Sequence, residues 1–588
     1  MMTRNRWAFA TALALLLLAG CARMPAPSAG PRFTPPNPGW VARTLAKLSL
    51  DEKIGQMMAV RFTGGFRNAD SDSLRDLESL ILKDKIGGLI LSGGEVYETA
   101  ELTNAFQKLA RLPLLFAADF ERGVGSQIAG ATLFPPLMSI GAAGAEDLAY
   151  EMGRITALEG RAVGIHMTYA PVVDVNVNPD NPIINTRSVG EDPALVGRIA
   201  RAFIRGCQEH GMIATAKHFP GHGDTAQDSH LLLPSILADR ERLEKVELAP
   251  FREAMAAGVR AVMTAHLFVP ALEPTPDLPA TLSRAILTDL LRDKLGFKGL
   301  VVTDAMEMGG ITNTYSPEDA ALRAVLAGAD LLLLPPEPSR VAASLVAAVK
   351  DGRIPARRID ESVRRILEAK AALGLDRNRF VRIDELSRLV APRAYLDQAW
   401  KTFEKAVTLV KNDGPVIPLA GADRKIAVFA LSSDPGDYYA GRAFAAEMKK
   451  RNPGTLAFFA DGDTGQEELD TDVSRAAGVD TVVFALFSRL ASSKGSVDLD
   501  PKHVALVERF AGAPGGPAVV AVSFGSPYFL RHFPDVKGYV CLYRSTPETQ
   551  QIAARALFGE MDMTGRLPVS LPGLYPLGHG IDFKKLAK

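Results

Sequence analysis

Along residues 41–375, short apolar runs alternate with longer stretches in which apolar positions recur at helical spacing. The helical stretches include Asp147–Ala162, Pro193–Glu209 and Ala320–Ala327. The apolar runs predict strands at Ile54–Phe62, Ile86–Leu91, Leu114–Ala118, Met167–Val173, Met212–Ala216, Arg260–Thr264, Gly299–Thr303 and Asp330–Leu334. Strands that alternate with helices form parallel sheets, so the pattern predicts a (β/α)8 barrel or a large open sheet.

Several of these predicted strands end in a residue that can carry charge or transfer a proton. Such residues are Asp119, Asp174, Lys217 with His218, His266 and Asp304. Polar residues often punctuate strand ends, but in a barrel the repetition has a function. The carboxyl ends of the strands converge on one face, and the active site is built there. The repetition therefore favours the barrel and places candidate catalytic groups on that face.

A second pattern begins after residue 375. The charged segment Ala371–Arg393, which contains LDRNRFVRIDE, has the composition of a linker, and the linker is predicted over residues 376–400. Beyond it, helix-like stretches separate the apolar runs Lys425–Leu431, Asp480–Ser488 and Ala518–Pro527. This order predicts a catalytic domain over residues 41–375 and a smaller α/β domain with a mostly parallel sheet over residues 401–588.

The N-terminus is patterned as a targeting segment. Arg4 and Arg6 precede an apolar run, Ala8–Ala19, that is too short to span a bilayer as a mature helix. The LAGC that follows is typical of bacterial lipoproteins and predicts a signal peptide over residues 1–21 with lipidation of Cys21. A plain secretory signal is the alternative. Residues 22–40 predict a flexible tether, and the alanine after Cys21 favours the outer membrane, facing the periplasm.

Composition narrows the choice of partners. The 67 Lys and Arg residues balance 67 Asp and Glu residues without a basic stretch, which argues against nucleic acid as a partner. Apart from Cys21, the chain contains only Cys207 and Cys541, each among apolar neighbours and without CxxC spacing. Two buried free thiols are the favoured interpretation, and a disulfide between them stays open at this point.

The stretch KHFPGHGDTAQDSH, residues 217–230, concentrates titratable groups directly after an apolar run. A metal site is disfavoured, because a Pro-Gly loop separates His218, His222 and His230 and no HExxH occurs in the chain. A phosphate cradle is disfavoured as well, since the P-loop pattern is absent. Proton transfer is the better interpretation of this stretch.

Asp228 and His230 form a D-x-H pair within that stretch. A carboxylate two positions from an imidazole on an extended loop can orient the ring as a proton donor and acceptor near neutral pH. Such a pair needs a nucleophile, and the candidate is Asp304, which ends the apolar run in GFKGLVVTDAMEM. The alternative role for this aspartate is to cap the next helix.

Longer motifs resemble those of a known family. KHFPGHGDTAQDSH, GFKGLVVTDAMEM, APVVDVNVNP, INTRSVGEDPALV and VMTAHLFVPALEP, with the closing GRLPVSLP, together resemble glycoside hydrolase family 3, in particular its bacterial β-N-acetylglucosaminidases. The resemblance extends from about Leu45 to the C-terminus. It implies a (β/α)8 TIM-type barrel followed by a smaller α/β sandwich domain, and hydrolysis of β-glycosidic bonds with retention of configuration.

The resemblance implies catalytic roles for three residues. Asp304 matches the family's nucleophile at the end of its GLVVTDAM strand. The Asp-Ser-His element assigns His230 as the general acid and base, with Asp228 as its partner. Other branches of the family use a glutamate from the second domain instead, so this element places the chain in the histidine-using branch.

Substrate contacts carry over at further positions that match the family's motifs. They are Asp119, Lys217, His218 and Arg187. His222 and Asp224 are expected to shape their loop, and His266 to pack beside the site. The resemblance implies no cofactor and no metal.

The chain departs from the family's pattern after the third predicted strand. Where the family usually reads D-x-E-G-G-R-V-x-R, residues 119–127 read DFERGVGSQ. An arginine comes early, as Arg122, and Gln127 replaces a later one, which puts the contacts of this loop in doubt. His166 also stands where asparagine is common.

The leading hypothesis is an exo-acting β-N-acetylhexosaminidase that trims cell-wall glycans or chitin-type oligosaccharides. It would act as a monomer and meet the membrane only through its lipid anchor. A β-glucosidase or glycoside phosphorylase of the same family is one alternative. A catalytically inactive, surface-anchored sugar-binding protein is the alternative from another class.

Overall fold

Parallel strands close into a barrel in the computed structural model, which describes residues 32–587 apart from 36, 420, 422, 438 and 489–495. The barrel strands are β1 (Met58–Gly64), β2 (Gly88–Glu95), β3 (Leu115–Ala118), β4 (Met167–Thr168), β5 (Ile213–Phe219), β6 (Ala261–Thr264), β7 (Leu300–Val302) and β8 (Leu332–Leu333). Neighbours pair in chain order, β8 pairs with β1, and a Val302–Leu331 bridge joins the ends of β7 and β8. The predicted (β/α)8 barrel is confirmed, and the open sheet is excluded.

Two of the predicted strands are shifted or shortened for local reasons. Ser49 and Glu52 form a capping box that starts the helix Leu50–Gln56, so this helix takes the first residues of the run predicted as β1. Strand β4 ends at Thr168, well before the predicted Val173. Pro171 lacks an N–H and cannot donate to a ladder.

Helices between the strands cover the outside of the barrel. The predicted helix Pro193–Glu209 is observed with those bounds, and the one predicted from Ala320 begins at Pro317, where Ser316 caps it. The helices of this part are Pro38–Lys47, Leu50–Gln56, Asp72–Ser79, Val96–Leu109, Leu137–Ala143, Glu146–Ala162, Pro193–Glu209, Arg240–Lys245, Ala249–Ala256, Gly309–Thr312, Pro317–Ala327, Pro338–Lys350 and Ala356–Ala372, with π-helical turns at Leu80–Asp84 and Ala285–Lys294.

A second sheet follows the barrel in the chain. Its strands are β9 (Thr408–Asn412), β10 (Ile426–Ser432), β11 (Leu456–Ala460), β12 (Thr481–Phe487), β13 (Ala518–Ser523) and β14 (Gly538–Cys541). They lie in the order β9-β14-β13-β12-β10-β11, and every pair except β9–β14 is parallel. Its helices are Arg393–Ala406, Arg442–Arg451, Gln466–Arg475, Pro501–Ala511 and Pro547–Leu557. The mostly parallel second sheet is confirmed.

The segment predicted as a linker, 376–400, is structured along much of its length. Val381 and Asn104 exchange two hydrogen bonds, which fasten the segment to the barrel. It also contains the short helix Leu386–Leu389 and the first turns of Arg393–Ala406. The boundaries of the predicted domains at 375 and 401 stay a prediction.

The second sheet's domain contacts the barrel near the carboxyl ends of the barrel strands. Asn176, which follows β4, donates to the hydroxyl of Tyr528 at 3.1 Å, and Asp180 pairs with Arg531 at 2.7 Å. Contacts between the two parts are therefore made on the face where a barrel carries its active site.

The structure tests the prediction for the two cysteines but does not cover the predicted signal peptide. Cys207 and Cys541 are buried free thiols in different domains, as favoured from the sequence. None of the helices in the described residues has the length and apolarity that a membrane crossing requires. The predicted signal peptide, Cys21 and most of the predicted tether lie outside the described residues.

Candidate active site

A cavity of about 600 Å³ opens at the carboxyl ends of the barrel strands. Its wall brings together the predicted residues Asp119, Arg187, Lys217, His218, His230 and Asp304. Asp174 and His266, the other polar strand ends, are fully buried and support residues of this wall. Its volume lies within the range usual for small-molecule sites.

Asp304 lies two residues after the end of β7, on the cavity wall. Its carboxylate accepts a hydrogen bond from the N–H of Ala305 at 2.8 Å. The next helix, Gly309–Thr312, has Met308 at its N-cap position, so Asp304 does not cap it. The alternative role considered for this aspartate is excluded.

The surroundings of Asp304 favour its ionised form. Burial acts to raise the pKa of this carboxyl, but electrostatic interactions with His218 and His266, the hydrogen bond from the N–H of Ala305 and the charge of Lys217 outweigh burial and lower the pKa below its usual range. The group is therefore an anion at neutral pH, as a carboxylate nucleophile must be.

His266 supports the chain around Asp304 from behind. Its Nδ1 lies 2.8 Å from Thr281 Oγ1, and its Nε2 lies 2.9 Å from the carbonyl oxygen of Ala305. Burial lowers the pKa of His266, so the ring is neutral and donates from Nε2 to that carbonyl. It packs beside the site, as the sequence suggested.

His230 and Asp228 form a hydrogen-bonded pair at the cavity. The Nδ1 of His230 lies 2.8 Å from Asp228 Oδ1, and the N–H of His230 donates to the same oxygen at 2.9 Å. The carboxylate is buried, whereas 28% of the imidazole surface is exposed. An ionised carboxylate only accepts hydrogen bonds, so Nδ1 carries a proton in this pair.

His222 braces the loop that carries this pair. Its two ring nitrogens each lie 2.9 Å from a hydroxyl, Thr225 on one side and Ser229 on the other. Burial lowers the pKa of His222 to about 4, so the ring is neutral at physiological pH. Because Ser229 lies between Asp228 and His230, the brace holds both in place, and no ring nitrogen is turned to the cavity.

An ion network joins three of the predicted sugar contacts. Lys217 Nζ lies 2.8 Å from Asp119 Oδ1 and 2.6 Å from Glu121 Oε1. Arg187 donates to both carboxylate oxygens of Glu121, at 3.0 and 2.8 Å. Glu121 was missed from the sequence, although a second carboxylate two positions after Asp119 was a signal for it. Burial acts to raise its pKa, but Arg187 and Lys217 hold that pKa well below its usual value.

His218 is held by the buried carboxylate of Asp174. Asp174 accepts from His218 Nδ1 at 2.7 Å and from the backbone N–H groups of His218 and His222 at 3.1 and 2.7 Å. With the proton on Nδ1, His218 Nε2 accepts from the Arg187 guanidinium at 3.3 Å. Asp174 thus positions two histidines without lining the cavity.

The atypical loop after β3 also reaches the cavity. Arg122 and Gln127 both line it, and Gln127 accepts the N–H of Gly93 at 3.1 Å. Gly123 adopts φ +77°, and a Cβ there would lie 2.7 Å from the carbonyl oxygen of Thr132. His166, the other departure, lies at the amino end of β4 and so does not belong to the cavity wall.

The second domain contributes Arg544 to the same wall. This residue follows β14, and no motif in the sequence pointed to it. Arg544 and Thr186 also line a second cavity of about 240 Å³. The two cavities are therefore neighbours, and the second is lined mainly by residues that follow strands of the second sheet.

No metal centre is built by the described part of the chain. Nowhere in it are three His, Cys, Asp or Glu side chains grouped so that they could hold a metal ion. The histidines of residues 217–230 are instead engaged with Asp174, with hydroxyl groups and with Asp228.

Comparison with protein families gives two matches that follow the two sheets. The model of the glycosyl hydrolase family 3 N terminal domain matches residues 49–369, and that of the glycosyl hydrolase family 3 C-terminal domain matches residues 407–576. Among curated proteins, the Beta-N-acetylglucosaminidase/beta-glucosidase of Cellulomonas fimi is 30% identical over 90% of this chain and 95% of its own length.

Two solved structures are similar over most of the chain. A glycoside hydrolase family 3 beta-N-acetylglucosaminidase from Paenibacillus sp. str. FPU-7 has a TM-score of 0.79 and 34% identity, covering 89% of this chain and 99% of that one. Beta-glucoside phosphorylase BglX, bound to 2FGlc, has a TM-score of 0.81 and 27% identity, covering 91% and 96%. The similarity thus includes both domains and their arrangement.

Proposed function

Because this chain belongs to glycoside hydrolase family 3, we propose that it is a retaining exo-β-N-acetylglucosaminidase. It would remove terminal, non-reducing, β-linked N-acetylglucosamine from cell-wall fragments or chitin-type oligosaccharides. One observation carries the proposal: the ionised carboxylate of Asp304 and the imidazole of His230, which is hydrogen-bonded to the buried Asp228, line the same cavity. The names of the relatives, a beta-N-acetylglucosaminidase/beta-glucosidase and a beta-N-acetylglucosaminidase, support the choice of sugar.

The first step would form a covalent intermediate. The carboxylate of Asp304 attacks the anomeric carbon while the bond to the leaving oxygen breaks, and His230 gives that oxygen a proton. The product is a glycosyl ester of Asp304. Before this step, the lowered pKa of the Asp304 carboxyl keeps it ionised, so that it can attack.

In the second step His230 would act as a base. Asp228 keeps the proton on Nδ1, so Nε2 is the atom that exchanges protons with the ligand. Nε2 takes a proton from a water molecule while the water oxygen attacks the anomeric carbon. The bond between the anomeric carbon and Asp304 breaks. The sugar leaves with its original configuration because two inversions have occurred.

The ion network would hold the sugar hydroxyls. Asp119, Lys217, His218 and Arg187 are the proposed contacts, and all line the cavity. Glu121 pairs with both Lys217 and Arg187 and fixes their position, so it is a positioning residue. Polar groups of this kind make binding selective. A sugar that removes water from them without forming hydrogen bonds to them binds more weakly, because their desolvation is not compensated.

A panel of chromogenic substrates tests the function. We expect nitrophenyl β-N-acetylglucosaminide to be cleaved with a kcat/KM at least about ten-fold above that of nitrophenyl β-glucoside, since one hydrogen-bonded substituent contributes about that factor. A preference for the glucoside would replace the proposal with a β-glucosidase. Binding without cleavage of either would leave a sugar-binding protein.

The lipid anchor at Cys21 is also proposed, on the strength of the LAGC motif. The first described residues lie against the amino-end face of the barrel: Thr34 donates to the carbonyl of Ala372 at 2.9 Å, and Phe33 stacks on Arg260, which precedes β6. An anchor reached from there would leave the cavity facing away from the membrane. The enzyme would thus act on periplasmic glycans, in peptidoglycan recycling, from the outer membrane.

Fractionation of cells tests the anchor. We expect the wild type in the membrane pellet, released by detergent but not by salt, and Cys21→Ser in the soluble fraction. Cys207→Ser, which removes a buried thiol of the barrel, is the matched control and should stay in the pellet. A mature N-terminus without lipid in mass spectra would refute the anchor.

The protein is further proposed to act as a monomer. The second domain of the same chain already supplies Arg544 to the cavity, so the wall needs no residue from another copy. We expect the soluble Cys21→Ser protein to sediment at the mass of one chain in analytical ultracentrifugation.

A further inference from the structure

Arg122 differs from Arg61, Arg187 and Lys217 on the cavity wall, because no carboxylate of the described residues lies within ion-pairing distance of its guanidinium. Arg61 pairs with Glu307, while Arg187 and Lys217 share Glu121. The side chain of Arg122, by contrast, forms no hydrogen bond or ion pair with any residue that the structure describes. Glu121 acts on it electrostatically, but Arg187 and Lys217 already share that carboxylate, so the charge of Arg122 is only partly compensated at the cavity.

Arg358 and Arg379, which lie outside the cavity, have their guanidinium groups bound by backbone acceptors. Arg358 donates to the carbonyl oxygens of Val325 and Ala329, at 3.0 and 2.7 Å, and Arg379 donates to that of Ala110 at 2.9 Å. A buried guanidinium without such acceptors costs free energy. A ligand that supplied the acceptor would recover that cost.

Arg544 brings a second guanidinium to the same wall from the other domain. Both guanidinium groups belong to residues that line the same cavity, and their like charges repel each other. An anion bound between them would remove the repulsion and gain charge-assisted hydrogen bonds from both.

We propose that Arg122 and Arg544 form an anion-recognition point that selects ligands carrying a carboxylate or a phosphate. The inference rests on the proposed function, because it concerns what the glycosidase accepts beside the bound sugar. The anion has two sources that share this chemistry: an acidic group on the leaving sugar, or inorganic phosphate that enters after that sugar has left.

The position of Arg544 indicates where the anion would bind. Arg544 and Thr186 line both the main cavity and the second cavity, whereas Asp304 and His230 line the main one. A group held by Arg544 therefore lies at the junction of the two cavities. A substituent of a ligand that extends from the sugar site reaches this junction first.

Phosphate at this point would change the second step without needing another reactant. A phosphate oxygen attacks the anomeric carbon of the glycosyl–Asp304 ester and forms a C–O–P link. The bond to Asp304 breaks, and the carboxylate leaves with its electron pair. The product is a sugar 1-phosphate, and no group is oxidised or reduced.

The leaving-group source is tested with a matched pair of disaccharides. Each has a terminal β-N-acetylglucosamine, and the second sugar carries either a free carboxylate or its methyl ester. We expect the wild type to favour the acid over the ester by about ten-fold in kcat/KM, mainly through KM, and Arg122→Gln to abolish the preference. Arg61→Gln, which alters a wall arginine already paired with Glu307, is the control and should keep the preference.

The phosphate source is tested by product analysis. With nitrophenyl β-N-acetylglucosaminide and inorganic phosphate, sugar 1-phosphate formed by the wild type and reduced about ten-fold in Arg122→Gln supports recognition of phosphate. If the wild type neither prefers the acid over the ester nor forms sugar 1-phosphate, the inference is overturned. A preference that Arg122→Gln retains overturns it too.

A binding measurement separates this inference from the proposed function. Titration calorimetry of the Asp304→Asn protein with the acid and the ester reports anion recognition without turnover. If the wild type cleaves the nitrophenyl substrate but the acid and ester bind equally, the inference fails and the function stands. If the acid binds tighter while no glycoside is cleaved, the function fails instead.

Discussion

Replacing Asp304 with asparagine is expected to lower kcat on nitrophenyl β-N-acetylglucosaminide by at least about 1,000-fold. The amide has nearly the same shape but lacks the negative charge that attacks the anomeric carbon. Its neighbours His218 and His266 would remain in place, because Asp174 holds the first and Thr281 and the carbonyl oxygen of Ala305 hold the second. The amide oxygen can still accept the hydrogen bond from the N–H of Ala305. The loss should therefore fall on kcat with a smaller change in KM.

Glu307→Gln is the matched control for that experiment. Glu307 lies three positions further along the same loop, lines the same cavity and pairs with Arg61. We expect its activity to stay within about ten-fold of wild type, as for the loss of a partly exposed ion pair. A mechanism-based fluorosugar should label Asp304 in the wild type. A label on Glu307, or full activity of Asp304→Asn, would refute the assignment of the nucleophile.

Replacing His230 with alanine is expected to produce a loss that depends on the leaving group. For a disaccharide, whose leaving oxygen needs a proton, kcat/KM should fall by about 100- to 10,000-fold. For a dinitrophenyl glycoside, whose leaving group departs as an anion, kcat/KM should fall only a few-fold. The ratio of the two losses measures proton donation directly and would not move if the variant merely destabilised the loop.

Two variants of the same loop complete the test. Asp228→Asn keeps the imidazole but removes the carboxylate that holds it at 2.8 Å, so it should give an intermediate loss with the same dependence on the leaving group. His222→Gln keeps a donor and an acceptor for Thr225 and Ser229 and should affect both substrates equally. Equal losses on both substrates in His230→Ala would show that His230 is not the acid.

Much of the fold was predictable because its signals are local. Eight apolar runs separated by amphipathic stretches predicted the barrel, and the strand-end positions of Asp119, Lys217, His218 and Asp304 placed them on one face. Errors arose where another local rule competed. The capping box at Ser49 starts a helix that includes residues predicted as strand, and a proline after β4 ends that strand early.

The sequence by itself determined which residues are chemically able to act. The D-x-H spacing brings Asp228 to His230 within three residues, and a strand delivers Asp304 to its end, so both features are visible without a fold. The tertiary structure decided which charges are neutralised and which are not. Glu121 pairs with Arg187 between the segments that follow β3 and β4, Arg544 enters from the other domain, and Arg122 faces the cavity without an ion pair to any described residue. Charges act through distance in space, and the sequence records only distance along the chain.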